Sequence, residues 1–352
     1  MITLSRRALF LVIVISIAGL VLVYPPMRLL SWVAPGFAPG WGSAALLFAI
    51  PFGVRLLHER TNQAWSRALT AIIMTWLGVC FVLLCLIIPA EVALSLSLAS
   101  PQNLGMTVLG MTTLLTLYGF YNAQRLHVQV VDLNTPPAYR GRRLVQISDV
   151  HIGSRQPGLL KPIVARINDL NPDYALITGD LIDMHSISEE DLSPLADIEA
   201  PTLFSIGNHE RYVDLEDICQ RLRNLGIQVL RNDSIERNDF QFIGIDDAER
   251  KDQVEREIAR LAPAGDSYRV LLYHRPDGAT AAANWGANLM LTGHTHRGQI
   301  VPFNFLVAKV FPELYQMYDH GDMKLYVSPG TGTWGPVMRL GSKCEITLFR
   351  LL

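Results

Sequence analysis

Hydrophobic positions run in long blocks through the first third of the chain and in short periodic clusters through the rest. Residues 8–24, 41–57, 69–89 and 104–121 are apolar enough, over enough length, to predict four membrane-spanning helices. The third is the strongest, with about 20 nearly unbroken apolar residues. The second carries Pro51 and has Arg55 near its end, where the side chain can snorkel to the interface. The fourth is milder because of its Thr and Gly. The first run, behind Ser5-Arg6-Arg7, also has the layout of a secretory leader. Its apolar stretch is longer than a usual leader core and no small-x-small cleavage site follows, so an uncleaved anchor is expected.

Past residue 122 the pattern changes. A linker over 123–139, marked by Asn134-Thr135-Pro136-Pro137, leads to a domain over 140–352 in which strands and helices alternate. The opening strand is Leu144-Val145-Gln146-Ile147. Leu159, Leu160, Ile163, Val164, Ile167 and Leu170 then mark one face of a helix over 158–170. A strand over 174–178, a helix over 188–198 capped by Ser188, and a strand over 202–206 follow. A helix over 215–225 closes at Gly226. Strands over 228–230 and 240–245 read as a hairpin-like pair around Arg237-Asn238-Asp239. A helix over 248–261 and strands over 269–273, 288–291, 324–328 and 344–351 complete the chain. This predicts an α/β domain with a mixed or two-sheet core, preceded by an all-α bundle of four transmembrane helices.

Charge sharpens the division. Of 30 basic and 32 acidic residues, only Arg6, Arg7, Arg28, Arg55, Glu59, Arg60, Arg67 and Glu91 precede residue 123, so most of the 50% hydrophobic content belongs to the front. Arg6 and Arg7 precede the first span, Arg55, Arg60 and Arg67 lie between the second and third, and Arg125, Arg140, Arg142 and Arg143 follow the fourth. Every second boundary is basic. The positive-inside rule then places the amino terminus, the middle loop and the carboxy-terminal domain in the cytoplasm, in a multi-pass protein of the cell (inner) membrane. Failure of the second span to cross would reverse the domain. Cys80, Cys85, Cys219 and Cys344 have no disulfide or zinc spacing and read as small buried hydrophobes. No basic, aromatic-interleaved stripe points to nucleic acid, and no protein partner is implied.

Candidate chemistry sits at the ends of the predicted strands. Asp149 and His151, Asp180, Asn208 and His209, His274, and His294 with His296 each fall just past one. Any one of them could be an ordinary satisfied polar residue, but the coincidence repeats five times and uses five of the nine histidines. Ligands at the carboxyl ends of strands converge on one edge of a sheet. Gly179, Gly207 and Gly293 precede these residues and let the backbone turn and approach a bound ion or phosphate.

On Asp149-x-His151, Gly179-Asp180, Gly207-Asn208-His209-Glu210, His274 and Gly293-His294-Thr295-His296, the chain resembles the calcineurin-like metallophosphoesterases. The resemblance implies their two-sheet αββα sandwich over about 140–352. It also implies two divalent ions: one on Asp149, His151 and His296, the second on Asn208, His274 and His294, with Asp180 bridging. Carboxylate, amide oxygen and imidazole without thiolate suit Mn²⁺, Fe or Zn²⁺, with Mn²⁺ favoured. Such a pair, about 3.5–4 Å apart, can supply hydroxide at neutral pH and polarise a phosphoryl oxygen for in-line attack. His209 is left over from the ligand set and is the candidate general acid. Glu210 either orients His209 or is a solvated loop acid.

His294-Thr295-His296-Arg297-Gly298-Gln299 and the stretch Gly330-Thr331-Gly332-Thr333-Trp334-Gly335-Pro336, followed by Met338-Arg339-Leu340-Gly341, look like the membrane-associated YkuE/YaeI-like bacterial branch. That branch includes some UDP-2,3-diacylglucosamine hydrolases. Arg297, where the branch often has Gly, either binds a substrate phosphate or caps a local carbonyl. Phe303, Phe305, Leu306, Val307, Val310 and Phe311 either take in acyl chains or pack as an ordinary helix or strand. The expected function is a membrane-anchored dimetal phosphoesterase that cleaves a phosphodiester or pyrophosphate of a phospholipid or lipid-linked nucleotide. The alternatives are a monoesterase or phosphoprotein phosphatase with the same metals, and a non-catalytic membrane scaffold or sensor.

Overall fold

The computed structural model describes residues 6–36, 40–61, 63–185 and 187–352, with the side chains of 6–11 outside that description. The chain divides into two units, one of Met1–Tyr121 with Gly335–Met338, the other of Asn122–Trp334 with Arg339–Leu352.

The first unit is helical: α1 (Arg6–Leu22), α2 (Tyr24–Val33), α3 (Trp41–Thr61), α4 (Ala64–Ser95) and α5 (Pro101–Ala123). Four stretches, Val12–Val33, Trp41–Thr61, Ala64–Ser95 and Pro101–Ala123, are long and apolar enough to cross a membrane. The predicted runs 41–57, 69–89 and 104–121 lie inside helices that extend further, whereas the predicted 8–24 run overlaps the first stretch, fills most of α1 and ends on the first residue of α2. After α1 the chain resumes a helix at once, because Pro25 and Pro26 fall in the first turn of α2, where a missing N–H costs nothing. The α3 helix continues past residue 57, with an Arg55–Glu59 ion pair at 2.8 Å one turn apart. Arg28, the one cation of the two boundaries that lack basic clusters, pairs with Glu91 through Nη2–Oε2 at 2.9 Å.

The second unit is a two-sheet sandwich. Its strands are β1 (Leu126–Leu133), β2 (Arg143–Ile147), β3 (Tyr174–Thr178), β4 (Thr202–Ser205), β5 (Gln228–Leu230), β6 (Asp233–Arg237), β7 (Phe240–Ile245), β8 (Tyr268–Tyr273), β9 (Leu289–Thr292), β10 (Gln316–His320), β11 (Met323–Val327) and β12 (Cys344–Leu351). One sheet has the order β1-β12-β2-β3-β4-β5 and the other β10-β11-β9-β8-β7-β6. Leu144, Tyr174, Leu176 and Leu203 of the first face Phe240, Phe242, Val270, Leu272 and Leu291 of the second in a core between the sheets. The outer faces are covered by helices. On the first sheet these are α6 (Leu160–Asp169) and α8 (Leu215–Asn224), whose Ile163, Ile167, Ile218 and Leu222 are buried there. On the second they are α9 (Gln253–Ile258) and α10 (Ala279–Trp285). This is the expected αββα layering.

Several local expectations are corrected. The stretch expected to be a linker contains β1, whose Val128, Val130 and neighbours pair in parallel with β12. The partner of β7 in the hairpin is β6, not β5; β5 pairs with β4 in the other sheet. The predicted helix over 188–198 is one capped turn, α7 (Glu189–Leu192), with Asp191 N–H donating to Ser188 Oγ, followed by a 3₁₀ turn over Ser193–Asp197 with Pro194 near its start. The predicted helix over 248–261 shrinks to α9, since Glu249 takes a left-handed φ of 56°. The post-histidine apolar run forms a short helix, α11 (Asn304–Val310).

Candidate active site

Five strand ends deliver the predicted residues. Asp149 and His151 follow β2, Asp180 follows β3, Asn208 and His209 follow β4, His274 follows β8, and His294 and His296 follow β9. Since β2, β3 and β4 run parallel, as do β8 and β9, their carboxyl ends meet on one edge of the sandwich. The buried Gln146 ties the two sheets just behind that edge, donating to Thr178 Oγ1 at 2.8 Å and to the Thr292 carbonyl at 2.9 Å.

The strands stop before the ligands. Asp149, His151, Asp180, His294 and His296 have φ of 52°, 55°, 53°, 70° and 48°. Left-handed non-glycine residues are costly, and their clustering marks a functional site. Asp149 and His151 therefore point inward because the loop turns at each, not because they alternate along a strand. The glycines serve close approach: a Cβ on Gly207 would stand 2.2 Å from Asp180 Oδ1, and one on Gly293 2.2 Å from Asp149 Oδ2.

Two groups of donors result. Asp149, His151 and His296 present ligand atoms within 4.8 Å of one another, and so do Asp180, His274 and His294. Asp180 Oδ2 lies 3.0 Å from His274 Nε2 and 3.9 Å from His151 Nε2, so it faces both groups. Asn208 Oδ1 is buried and accepts no hydrogen bond from the protein. A buried amide oxygen left unpaired is costly unless a cation takes its lone pairs. Together with carboxylates and imidazoles, this donor set fits divalent cations.

The electrostatics are those of a site built for positive charge. Burial raises the Asp180 carboxyl, but His274, His151 and His209 together hold it far below the usual carboxylate range. Burial lowers His274, and Asp180 and Asp149 outweigh it, pushing the imidazole up to about 10. Burial and the neighbouring His274 push His294 down to about 2. His151 is lowered by burial yet raised overall by Asp183, Asp180 and Asp149.

His209 stands where an acid for a leaving group would be. Its Nε2 is 4.0 Å from Asp180 Oδ2, and its ring meets Tyr212 and Trp334 edge-on, with centroids 5.4 and 5.7 Å away. Burial lowers its pKa, although Asp180 acts to raise it. Glu210 is neither a partner of the His209 ring nor a solvated acid. Fully buried, it accepts the backbone N–H groups of Asp180 and Gly207 on one oxygen and of Leu181 and Ile182 on the other. Burial, with Asp180 nearby, raises it to about 7. Arg297 is exposed and lies over the Tyr315 ring, 4.5 Å from its centroid.

Sequence reasoning missed Asp183. Its Oδ2 lies 3.3 Å from His151 Nδ1, and Ser154 N–H donates to its Oδ1 at 2.9 Å. It also forms a third donor group with His151 and His209. Its spacing, three residues past Asp180 on a tight loop, was the available signal.

The calcineurin-like phosphoesterase family profile matches residues 142–298, the stretch that holds all seven donors and His209. The chain is 31% identical over 234 residues to an uncharacterized metallophosphoesterase of Campylobacter jejuni, covering 64% of this chain and 63% of that protein. It is 34% identical over 266 residues to a transmembrane protein with metallophosphoesterase domain of Danio rerio, covering 67% of this chain and 60% of that one. With the metallophosphoesterase YkuE of Bacillus subtilis it shares 28% over 238 residues, 61% of this chain and 81% of the other. The chain thus spans less than two thirds of the length of the first two relatives. With the profile, the relatives and the strand-end donors in agreement, the chain carries a calcineurin-like metallophosphoesterase domain.

Proposed function

We propose that the protein is a membrane-anchored phosphoesterase that hydrolyses a phosphodiester or pyrophosphate bond of a phospholipid or lipid-linked nucleotide, a UDP-2,3-diacylglucosamine type among the candidates. The observation that carries the reading is Asp180 Oδ2, within 4.0 Å of imidazole nitrogens from both donor groups. In this reading Asp149, His151 and His296 hold one cation, Asn208, His274 and His294 hold the second, and Asp180 serves both. Two divalent ions, Mn²⁺ first among the candidates, would supply Lewis acidity and an activated water nucleophile. The chain's own residues do the rest. Asp180 and Asn208 fix the donors around the phosphate, His209 gives its proton to the leaving oxygen, and Glu210 holds the Asp180 loop by its backbone. Arg297, exposed beside the site on Tyr315, is the proposed contact for a second phosphate or a headgroup oxygen.

The lipid part of the proposal draws support from α11. Phe305, Leu306 and Val310 are 68%, 56% and 70% exposed, and Phe311 at the end of the helix meets His294 edge-on at 5.1 Å. An exposed apolar face that continues to the site suits a hydrocarbon chain attached to a phosphate. The basic boundaries favour, in this reading, a domain on the cytoplasmic side of the inner membrane. A reporter fused to the carboxy terminus checks this: activity on the periplasmic side would reverse the orientation. Hydrolysis of a diester and a monoester by the purified Mn²⁺-loaded protein tests the chemistry, and preference for the monoester would replace this reading with a phosphatase. Phosphoesterase activity surviving Asp180→Ala intact would refute the dimetal assignment.

A further inference from the structure

Arg339 is the largest fully buried side chain among the described residues, and it lies in a stretch to which the proposed chemistry gives no role. Its Nη1 donates to the His296 carbonyl at 3.0 Å and to Ser342 Oγ at 3.2 Å. Its Nη2 donates to the Gly332 carbonyl at 2.6 Å and to the Gly330 carbonyl at 3.4 Å, and lies 3.2 Å from His296 Nδ1. No carboxylate lies within 4.0 Å of it among the described residues. A buried guanidinium without a carboxylate is expensive, so its place must return something beyond packing. Gly330 shows what converges there. A Cβ on it would stand 2.9 Å from Asp149 Cβ, 3.1 Å from Arg339 Nη2 and 3.2 Å from His296 Nδ1.

We propose that Arg339 is a positioning residue for the Asp149–His151–His296 metal position, and this inference rests on the two-metal reading above. The fork holds His296 by its backbone carbonyl, packs against its ring, and ties that residue to the Gly330–Gly332 loop. His296 takes φ of 48° and sits beside Arg297 and Gln299, also left-handed at 52° and 54°. Such a strained turn persists only where its surroundings over-determine it. The guanidinium supplies that constraint and keeps His296 Nε2 directed at Asp149 Oδ1, 3.3 Å away. The second donor group has no contact with Arg339, so the two metal positions should respond differently to its loss.

The experiment uses the full-length protein in lipid nanodiscs with Mn²⁺, reading metal content by elemental analysis and spin coupling by electron paramagnetic resonance. Wild type should hold two coupled ions. Arg339→Ala should keep one uncoupled ion, and free guanidinium should restore the second. Arg339→Lys should bind that second ion about 10–100-fold more weakly, the usual effect of removing an outer partner of a metal ligand, because an ammonium cannot reproduce the planar fork. Two coupled ions of unchanged affinity in both variants would overturn the inference. So would loss of both ions together with a lower melting temperature of the metal-free variants, which would make Arg339 a general core residue. Fewer than two ions in wild type would instead refute the two-metal reading, and this inference with it.

Discussion

The backbone N–H of Asp180 donates to Glu210 Oε2 at 3.0 Å, so the carboxylate at the centre of the site is held from behind by a second, buried carboxylate. Each Glu210 oxygen accepts two backbone N–H groups, which pins the loop after β3 to the loop after β4. Glu210→Gln would leave an amide NH₂ facing two N–H donors in either orientation of the side chain. Leaving a buried donor unpaired costs about 1–3 kcal/mol. The variant should therefore unfold at a clearly lower temperature in detergent, with weakened metal binding as the loops part. An unchanged unfolding midpoint would sink the clamp.

His209 should matter to the rate and not to the metals. Its ring meets that of His151 edge-on at 4.9 Å, but it belongs to neither of the two donor groups assigned to the cations, and its nearest carboxylate oxygen is 4.0 Å away. As general acid it should contribute about 10²–10⁴-fold. His209→Ala is expected to lower kcat by that factor while metal content stays at the wild-type level. The loss should shrink for substrates whose leaving group needs no proton, such as a nitrophenolate. Equal losses on good and poor leaving groups would rule out proton donation.

Much of this architecture was legible because its signals are local. Residues such as Gly207, Asn208 and His209 sit together in sequence, and the short apolar runs before them mark strands by themselves. What escaped the sequence depends on partners far along the chain. The β1 strand reads as linker because it pairs with β12, more than 200 positions away. Glu210 reads as a loop acid because its four donors come from other loops. Asp183 and the role of Arg339 escaped for the same reason: each acts on a histidine contributed by another segment. The exposed face of α11 was undecidable for a different reason, since an apolar helix has the same pattern whether covered or bare.

Metal affinity should rise with pH. In the metal-free protein the His274 imidazole is pushed up to about 10 because Asp180 and Asp149 outweigh burial. A cation must displace that proton, so binding competes with protons throughout the range below about pH 10, whereas His294, pushed down to about 2, has none to give. Apparent Mn²⁺ affinity should climb up to about tenfold per pH unit for each proton released. Calorimetry in buffers of different ionisation enthalpy between pH 6 and 8 would count the protons. A pH-independent affinity would show that His274 is already neutral before the ion arrives.

The exposed face of α11 gives the last test. Phe305 and Leu306 stand free of the core beside a site whose His294 is touched by Phe311. If they receive the hydrocarbon part of a substrate, their loss should be felt in binding and only for substrates that have such a part. Burying a Leu or Phe side chain against a chain is worth about 1.5–3 kcal/mol, roughly 10–100-fold in affinity. Phe305→Ser with Leu306→Ser should thus raise KM for a long-chain phosphodiester by about that factor, leave kcat in place, and leave hydrolysis of a short, soluble diester unaffected. Because both side chains are already exposed, the double variant should fold as wild type. Equal effects on long and short substrates would mean that α11 shapes the site itself, and no effect on either would remove the helix from substrate recognition.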